Sequence, residues 1–251
     1  MRTAGIDIGS RSIELVILEN GEIADRAQTD TGFDPMRGAT NILAGREYDR
    51  ILATGYGRNL FEISFDAPTI TEIKAYARGV SHLFGNGLTI LDIGGQDSKA
   101  IALTEKGRVK KFEMNDRCAA GTGKFLEIMA SALGFSLAKF GPEALKAEKV
   151  LTINSMCTVF AESEVTSLIA RGENPREIAL GLHSAVVRRA AGMLKRVSEA
   201  PKNVVFAGGV ANNPCMISLL QQSLNTEISI PENPQMTGAL GAALLAGENR
   251  G

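Results

Sequence analysis

The chain has no tryptophan, only three tyrosines and two histidines in 251 residues, and aromatic residues make up 5% of it. So few bulky aromatics argue against a sticky aromatic surface. Neither charge dominates: 27 Lys and Arg stand against 28 Asp and Glu, a formal net charge of -1. With no basic field to draw in phosphate backbones or acidic lipid, neither nucleic acid nor a membrane is expected as a partner. No apolar run reaches the roughly 18 residues of a membrane-spanning helix. Met1-Arg2-Thr3 leads directly into a glycine-bearing strand rather than an apolar leader, so a cytoplasmic location is expected. Three cysteines, Cys118, Cys157 and Cys215, are an odd number without a CxxC pair. They are too few for a disulfide scaffold, and any that act do so as thiolates.

What the chain does have is glycine, 27 of them, with 44% hydrophobic and 22% charged residues. The balance is that of a packed globular protein, and the length suits two lobes. The glycines imply tight turns and close backbone approaches, for which loops around phosphate are a natural use. A repeat supports the two lobes: Ile6-Asp7-Ile8-Gly9-Ser10 recurs 85 residues later as Leu91-Asp92-Ile93-Gly94-Gly95. Each copy enters an apolar strand. The first turns back at Asn20-Gly21, a strong hairpin signal, and the second around Lys106-Gly107. The expected fold class is therefore α/β, two-lobed and duplicated. Lobe I covers 1–85, with a small-residue C-terminal helix (237–251) packing back on it, and lobe II covers 86–236. No linker separates them, so the hinge is expected inside regular structure.

Between these landmarks, Tyr48 to Thr54 reads as a strand and Thr71 to Phe84 as a helix ended by Gly85. Helices are expected over Lys124 to Leu133, Glu143 to Lys149, Val159 to Arg171 and 175–199. Val204 to Ala207 reads as a buried strand, followed by Gly208-Gly209 and a helix opened by Pro214.

An Asp at a strand end followed by Gly-Ser or Gly-Gly can hold a carboxylate near Mg2+ while bare turn amides approach a phosphate. Two such copies across a cleft, with Gly208-Gly209 as a third glycine site, make a phosphate, phosphate and adenosine arrangement. The same glycines could instead only permit tight hairpins. At this point the chain resembles the ATPase superfamily of actin, sugar kinases and heat-shock ATPases. That resemblance implies roles for Asp7 and Asp92 around Mg2+ and the attacking water, and for Gln96 in orienting that water. Gly9, Ser10, Arg11, Gly94 and Gly95 would face phosphates with their amides. Gly208, Gly209 and Asn212 would line the adenosine, and Lys124 and Glu127 could reach the ribose or base, although a solvated helix face explains that pair equally well.

Cys118 lies in Asn115-Asp116-Arg117-Cys118-Ala119-Ala120-Gly121-Thr122-Gly123-Lys124, and Cys157 in Ser155-Met156-Cys157-Thr158-Val159-Phe160-Ala161-Glu162. Both precede helices, whose N-termini favour anionic groups and ligands. From the residues alone, three readings stay open: buried structural cysteines, a zinc site shared by two chains, or a four-iron cluster closed by two thiolates from each of two copies. Cys215, behind Pro214, reads as core. His82 and His183 read as structural or surface residues, and Glu162 and Glu164 as acids suited to a first helical turn.

These two cysteine segments, with Leu91 to Asp97 and Ala53 to Asn59, resemble the activator components of 2-hydroxyacyl-CoA dehydratases over residues 4 to about 246. ATPase subunits of benzoyl-CoA reductase and reductases of double-cubane cluster proteins belong to the same family. The resemblance implies a homodimer holding one [4Fe-4S] cluster through Cys118 and Cys157 of each chain. It implies ATP-driven electron transfer from a ferredoxin or flavodoxin to a partner iron-sulfur enzyme. Gly121, Thr122 and Gly123, so close to Cys118, would contact nucleotide and couple it to the cluster. A small-molecule kinase of the same superfamily is the alternative; the chain shows no separate substrate-specificity insertion for one.

Overall fold

A computed structural model describes residues 1–155, 157–201 and 203–248. Met156, in the second cysteine segment, and the last three residues of the expected C-terminal helix lie outside the described residues. The chain divides into two compact units: Met1–Ile90 with Ile101–Lys111 and Pro231–Gly251, and Leu91–Ala100 with Phe112–Ile230.

In the first, β1 (Arg2–Ile8), β2 (Ser12–Glu19), β3 (Glu22–Asp30) and β4 (Arg50–Thr54) form a sheet in the order β3-β2-β1-β4. β1 pairs antiparallel with β2 and parallel with β4. Asn20 and Gly21 both take positive φ, 53° and 92°, as a two-residue hairpin turn requires. Helices α1 (Pro35–Leu43), α2 (Arg58–Phe65) and α3 (Glu72–Phe84) follow, with Gly85 ending α3 at φ 88°.

The second sheet, β7-β6-β5-β8-β9, repeats this order. Its strands are β5 (Thr89–Ile93), β6 (Ser98–Leu103), β7 (Val109–Asn115), β8 (Val204–Ala207) and β9 (Ile228–Ser229). The duplication read from ten residues thus extends to four strands of each sheet. In both copies the central strands are almost wholly buried, whereas β3 and β7 carry mainly polar, exposed side chains as outer strands do. The remaining helices are α4 (Gly123–Ala132), α5 (Leu137–Ala144), α6 (Thr158–Ala170), α7 (Pro175–Val197), α8 (Pro214–Leu224) and α9 (Thr237–Glu248).

Two departures from the sequence reading have local causes. The helix expected over Glu143 to Lys149 is instead α5, which runs through Pro142 and ends at Ala144. Gly141-Pro142 looks like a helix start, yet burial of Phe140 and Ala144 carries the helix across a proline that lacks one N–H. Helices α1 and α2 had no expected counterpart. For α1 the signal was present: Asp34 Oδ1 accepts from the Arg37 amide at 3.0 Å and Pro35 takes the first position. For α2 it was not, since Gly57 precedes it without a side-chain cap.

Helix α9 lies on β1 and α3 so closely that glycine is required on both sides. A Cβ at Gly241 would overlap the Ala75 carbonyl of α3, and one at Gly5 the Ala239 carbonyl of α9. Ala239, Leu240 and Ala243 then bury against Val16 and Leu18. Gly241→Val should therefore cost more than about 2 kcal/mol in urea unfolding, as overpacking does. Gly247→Ala, with its nearest neighbour 3.7 Å away, should leave the transition nearly unmoved.

Candidate nucleotide and thiol sites

The two Asp-Gly turns are built alike. Gly9 donates its amide to the Ser12 carbonyl and Gly94 its amide to the Asp97 carbonyl, both at 3.0 Å. These two amides, expected to face phosphate, therefore close their own hairpins. Asp7 is 6% exposed and Asp92 1%. Each carboxylate abuts a glycine that follows the neighbouring strand: Gly55 after β4 for Asp7, and Gly208 after β8 for Asp92. Both take positive φ, 93° and 81°, and a Cβ on either would overlap the aspartate Oδ1. Gly238, in the first turn of α9, meets Asp7 Oδ2 in the same way. The positive end of that helix is a favourable neighbour for a carboxylate.

Asp92 has a partner that the sequence reading missed. Lys99 on β6, 3% exposed, places Nζ 3.0 Å from Asp92 Oδ2 and 2.7 Å from Asp97 Oδ2. Its position 85 residues after Glu14 was the available signal, because a charge inversion inside a buried repeat demands a local partner. Ser10, Gln96 and Arg11 sit on the turns, the first half-buried and the other two exposed.

The second turn is tied directly to the segment bearing Cys118. Gly123 and Lys124, opening α4, donate their amides to the carbonyls of Gly94 and Gly95 at 2.9 and 2.8 Å. A Cβ on Gly123 would stand 2.9 Å from the Gly94 oxygen. Just upstream, Thr122 donates its amide and hydroxyl to the Ala119 carbonyl. Asn115 Nδ2 donates to the carbonyls of Cys118 (2.8 Å) and Ala120 (3.2 Å). Gly121, at φ 84°, lies against the Arg189 side chain of α7. Farther along α4, Lys124 and Glu127 pair with each other at 3.3 Å on a solvated face.

Cys118 and Cys157 are both free and exposed. Cys157 occupies the N-cap of α6. Glu164 on α6 accepts from the amides of Asn154 (3.1 Å) and Ser155 (2.8 Å), which fastens the stretch entering Cys157. Partial burial works to raise the Glu164 carboxyl, but these hydrogen bonds prevail and hold it below the usual carboxylate value. Among the described residues, no group of three or more His, Cys, Asp or Glu could hold a metal ion. A thiol ligand set drawn from these sites has two members per chain, both accessible to a second copy. The exposed pair of thiols suits iron or zinc, whereas Cys215 is buried, and burial pushes its thiol up to about 12.

Gly209 and Asn212 form a short 3-10 turn after Gly208, and both are exposed. The next residue, Asn213, caps α8 through Oδ1, which accepts from the amides of Cys215 (3.0 Å) and Met216 (3.2 Å). His183 of α7 holds Asn213 in place: Nδ1 donates to the Ala179 carbonyl at 2.7 Å, leaving Nε2 to accept from Asn213 Nδ2 at 3.0 Å. His183 is fully buried against Phe140, with ring centroids 4.5 Å apart. Burial lowers it from 6.5 to about 4, against the opposing pull of the Ala179 carbonyl. The unfolded chain takes up this proton near 6.5 and the folded chain only near 4. Stability from this group is thus complete above about pH 6.5 and is lost as pH falls toward 4, at up to about 1.4 kcal/mol per pH unit. Urea unfolding of His183→Gln at pH 7 and pH 5 should show a shallower loss than the parent; an equal loss would remove His183 from the account.

The whole chain has close relatives. It is 43% identical over 257 residues to the activator of lactoyl-CoA dehydratase of Anaerotignum propionicum, covering 99% of this chain and 98% of that one. The crystal structure of component A of (R)-2-hydroxyglutaryl-CoA dehydratase from Acidaminococcus fermentans superposes with a TM-score of 0.91 at 38% identity, covering 99% and 98%. The ADPNP-bound activator of 2-hydroxyisocaproyl-CoA dehydratase from Clostridium difficile gives 0.90 at 39%, covering 99% and 95%. The fold is the duplicated α/β fold of actin and sugar-kinase-like ATPases. With the family model matching residues 4–246, the chain belongs to the BadF/BadG/BcrA/BcrD ATPase family.

Proposed function

We propose that the chain is an ATP-dependent reductive activator, a homodimer that couples ATP binding and hydrolysis to low-potential electron delivery onto a partner iron-sulfur enzyme. The partner would be of the 2-hydroxyacyl-CoA dehydratase or double-cubane type, and a ferredoxin or flavodoxin would supply the electrons. The observation that carries this reading is the pair of hydrogen bonds that the Gly123 and Lys124 amides donate to the Gly94 and Gly95 carbonyls. They connect a phosphate-type turn to the segment ending in an exposed thiol. The named functions of the relatives point the same way.

Cys118 and Cys157 of each copy would hold one [4Fe-4S] cluster, which when bound supplies one-electron transfer. Asp7 and Asp92 would serve Mg2+ and the attacking water, with Gln96 orienting that water. With Gly9 and Gly94 closing their hairpins, the amides of Ser10, Arg11 and Gly95 are those assigned to the phosphates. Gly121 and Thr122 shape the loop between Cys118 and α4, so a shift at the phosphates would reach the thiol through backbone rather than through long side chains. Gly208, Gly209 and Asn212 would border the adenosine, with Lys124 and Glu127 toward the ribose or base.

Iron and acid-labile sulfide measured on anaerobically purified protein should give four irons per dimer. The iron should be lost in Cys118→Ser and in Cys157→Ser while ATP hydrolysis persists, and retained in Cys215→Ser. Protein that stays iron-free after reconstitution yet hydrolyses ATP would overturn the redox reading and leave an ATPase of another kind.

A further inference from the structure

The two turns share a backbone and differ in charge. Position by position, Asp7, Gly9, Ser12 and Glu14 of the first copy correspond to Asp92, Gly94, Asp97 and Lys99 of the second. In the first, Glu14 pairs in register with Asp7 and accepts hydrogen bonds from Ser12 Oγ (2.5 Å) and Gln28 Nε2 (3.1 Å). In the second, the corresponding residue is a lysine whose ammonium lies against both Asp92 and Asp97. At 3% exposure this ammonium is held where an uncompensated charge is costly, and the Asp92 carboxylate, 1% exposed, is under the same constraint.

We propose that Lys99 is the resident counter-cation of the second turn and a positioning residue for Asp92. Its Nζ lies within ion-pair distance of both Asp92 and Asp97 and balances their charge from inside the turn. It fixes Asp92 Oδ2, while Gly208 leaves room for Oδ1 on the other side, so both oxygens of the carboxylate have set places. Through Asp97, whose carbonyl accepts from Gly94, the same ammonium holds the hairpin turn closed. This role rests on the ATPase reading for its consequence in catalysis, but the charge balance itself is a property of the folded chain without nucleotide.

The test uses the full-length protein and the variants Lys99→Met and Lys99→Met/Asp97→Asn. Thermal unfolding is read without nucleotide in EDTA and in millimolar Mg2+ or Ca2+. For a counter-cation, Lys99→Met should unfold at lower temperature than the parent in EDTA and regain part of the loss with divalent ion. The parent should show no comparable gain, and Asp97→Asn in the same background should remove the metal response. A packing role alone would move stability without making it metal-dependent, so a Lys99→Met protein equally unstable with and without metal would overturn the proposal. If Lys99→Met does not fold in EDTA, its recovery with Mg2+ or by Asp97→Asn supports the proposal, and recovery by neither overturns it. In ATP hydrolysis, Lys99→Met should lower kcat by about tenfold or more while KM for ATP moves less than about threefold, as expected when a group positions the reacting carboxylate rather than the nucleotide. Unchanged kcat with a metal-dependent Tm would retain the counter-cation and reject the positioning role; absence of ATPase activity in the parent would instead remove the functional reading and leave the unfolding result to stand by itself.

Discussion

Gly123 and Lys124 donate their amides to the carbonyls of Gly94 and Gly95, and that junction ties the second Asp-Gly turn to the segment bearing Cys118. A helix start is a row of unsatisfied N–H groups, and here part of that row is spent on the backbone of a neighbouring turn. The contact works because both partners are glycine-rich: a side chain at Gly123 would fall 2.9 Å from the Gly94 oxygen and 3.3 Å from Val210. Upstream, Asn115 and Thr122 bond the Cys118 loop to itself, and Arg189 backs it. A displacement of the turn thus has a short covalent and hydrogen-bonded route to the thiol, with few side-chain rotamers to absorb it.

Duplication gives the chain two such turns and lets them diverge. Both keep the aspartate, the hairpin closed by a glycine amide, and a positive-φ glycine after the adjacent strand. These are backbone requirements, and no other residue satisfies them at Gly55 and Gly208. The charged surroundings are free to vary. In the first unit Asp7 sits against the first turn of α9, and in the second Asp92 sits against Lys99. The same carboxylate is therefore stabilised by a helix end in one copy and by an ammonium in the other.

Features dictated by backbone geometry were legible in the sequence. The Asp-Ile-Gly repeat, the Asn20-Gly21 hairpin, the Gly85 helix end and the Pro214 helix start all declare themselves through residues with narrow conformational ranges. The two cysteine segments were legible as segments. Features decided by tertiary packing were not. Pro142 sits inside α5 because Phe140 and Ala144 are buried. In the sequence Lys99 is marked only as the lysine that stands where the first copy has Glu14, and its partners are known once Asp92 and Asp97 are brought beside it. His183 reads as one more position on an amphipathic helix, and only the fold reveals that it anchors the asparagine capping α8. Equally, the turn amides of Gly9 and Gly94 look available to phosphate until their hairpin partners are known.

The claim that the turn and the thiol loop move as one is tested most directly with Gly123→Val, by measuring ATP hydrolysis, cluster absorbance and electron delivery to an acceptor protein in the same anaerobic preparation. The account predicts that cluster absorbance and hydrolysis persist while electron delivery per ATP falls by about tenfold or more, the size of effect expected when a rigid positioning contact is displaced. Electron delivery per ATP equal to that of the parent would contradict it.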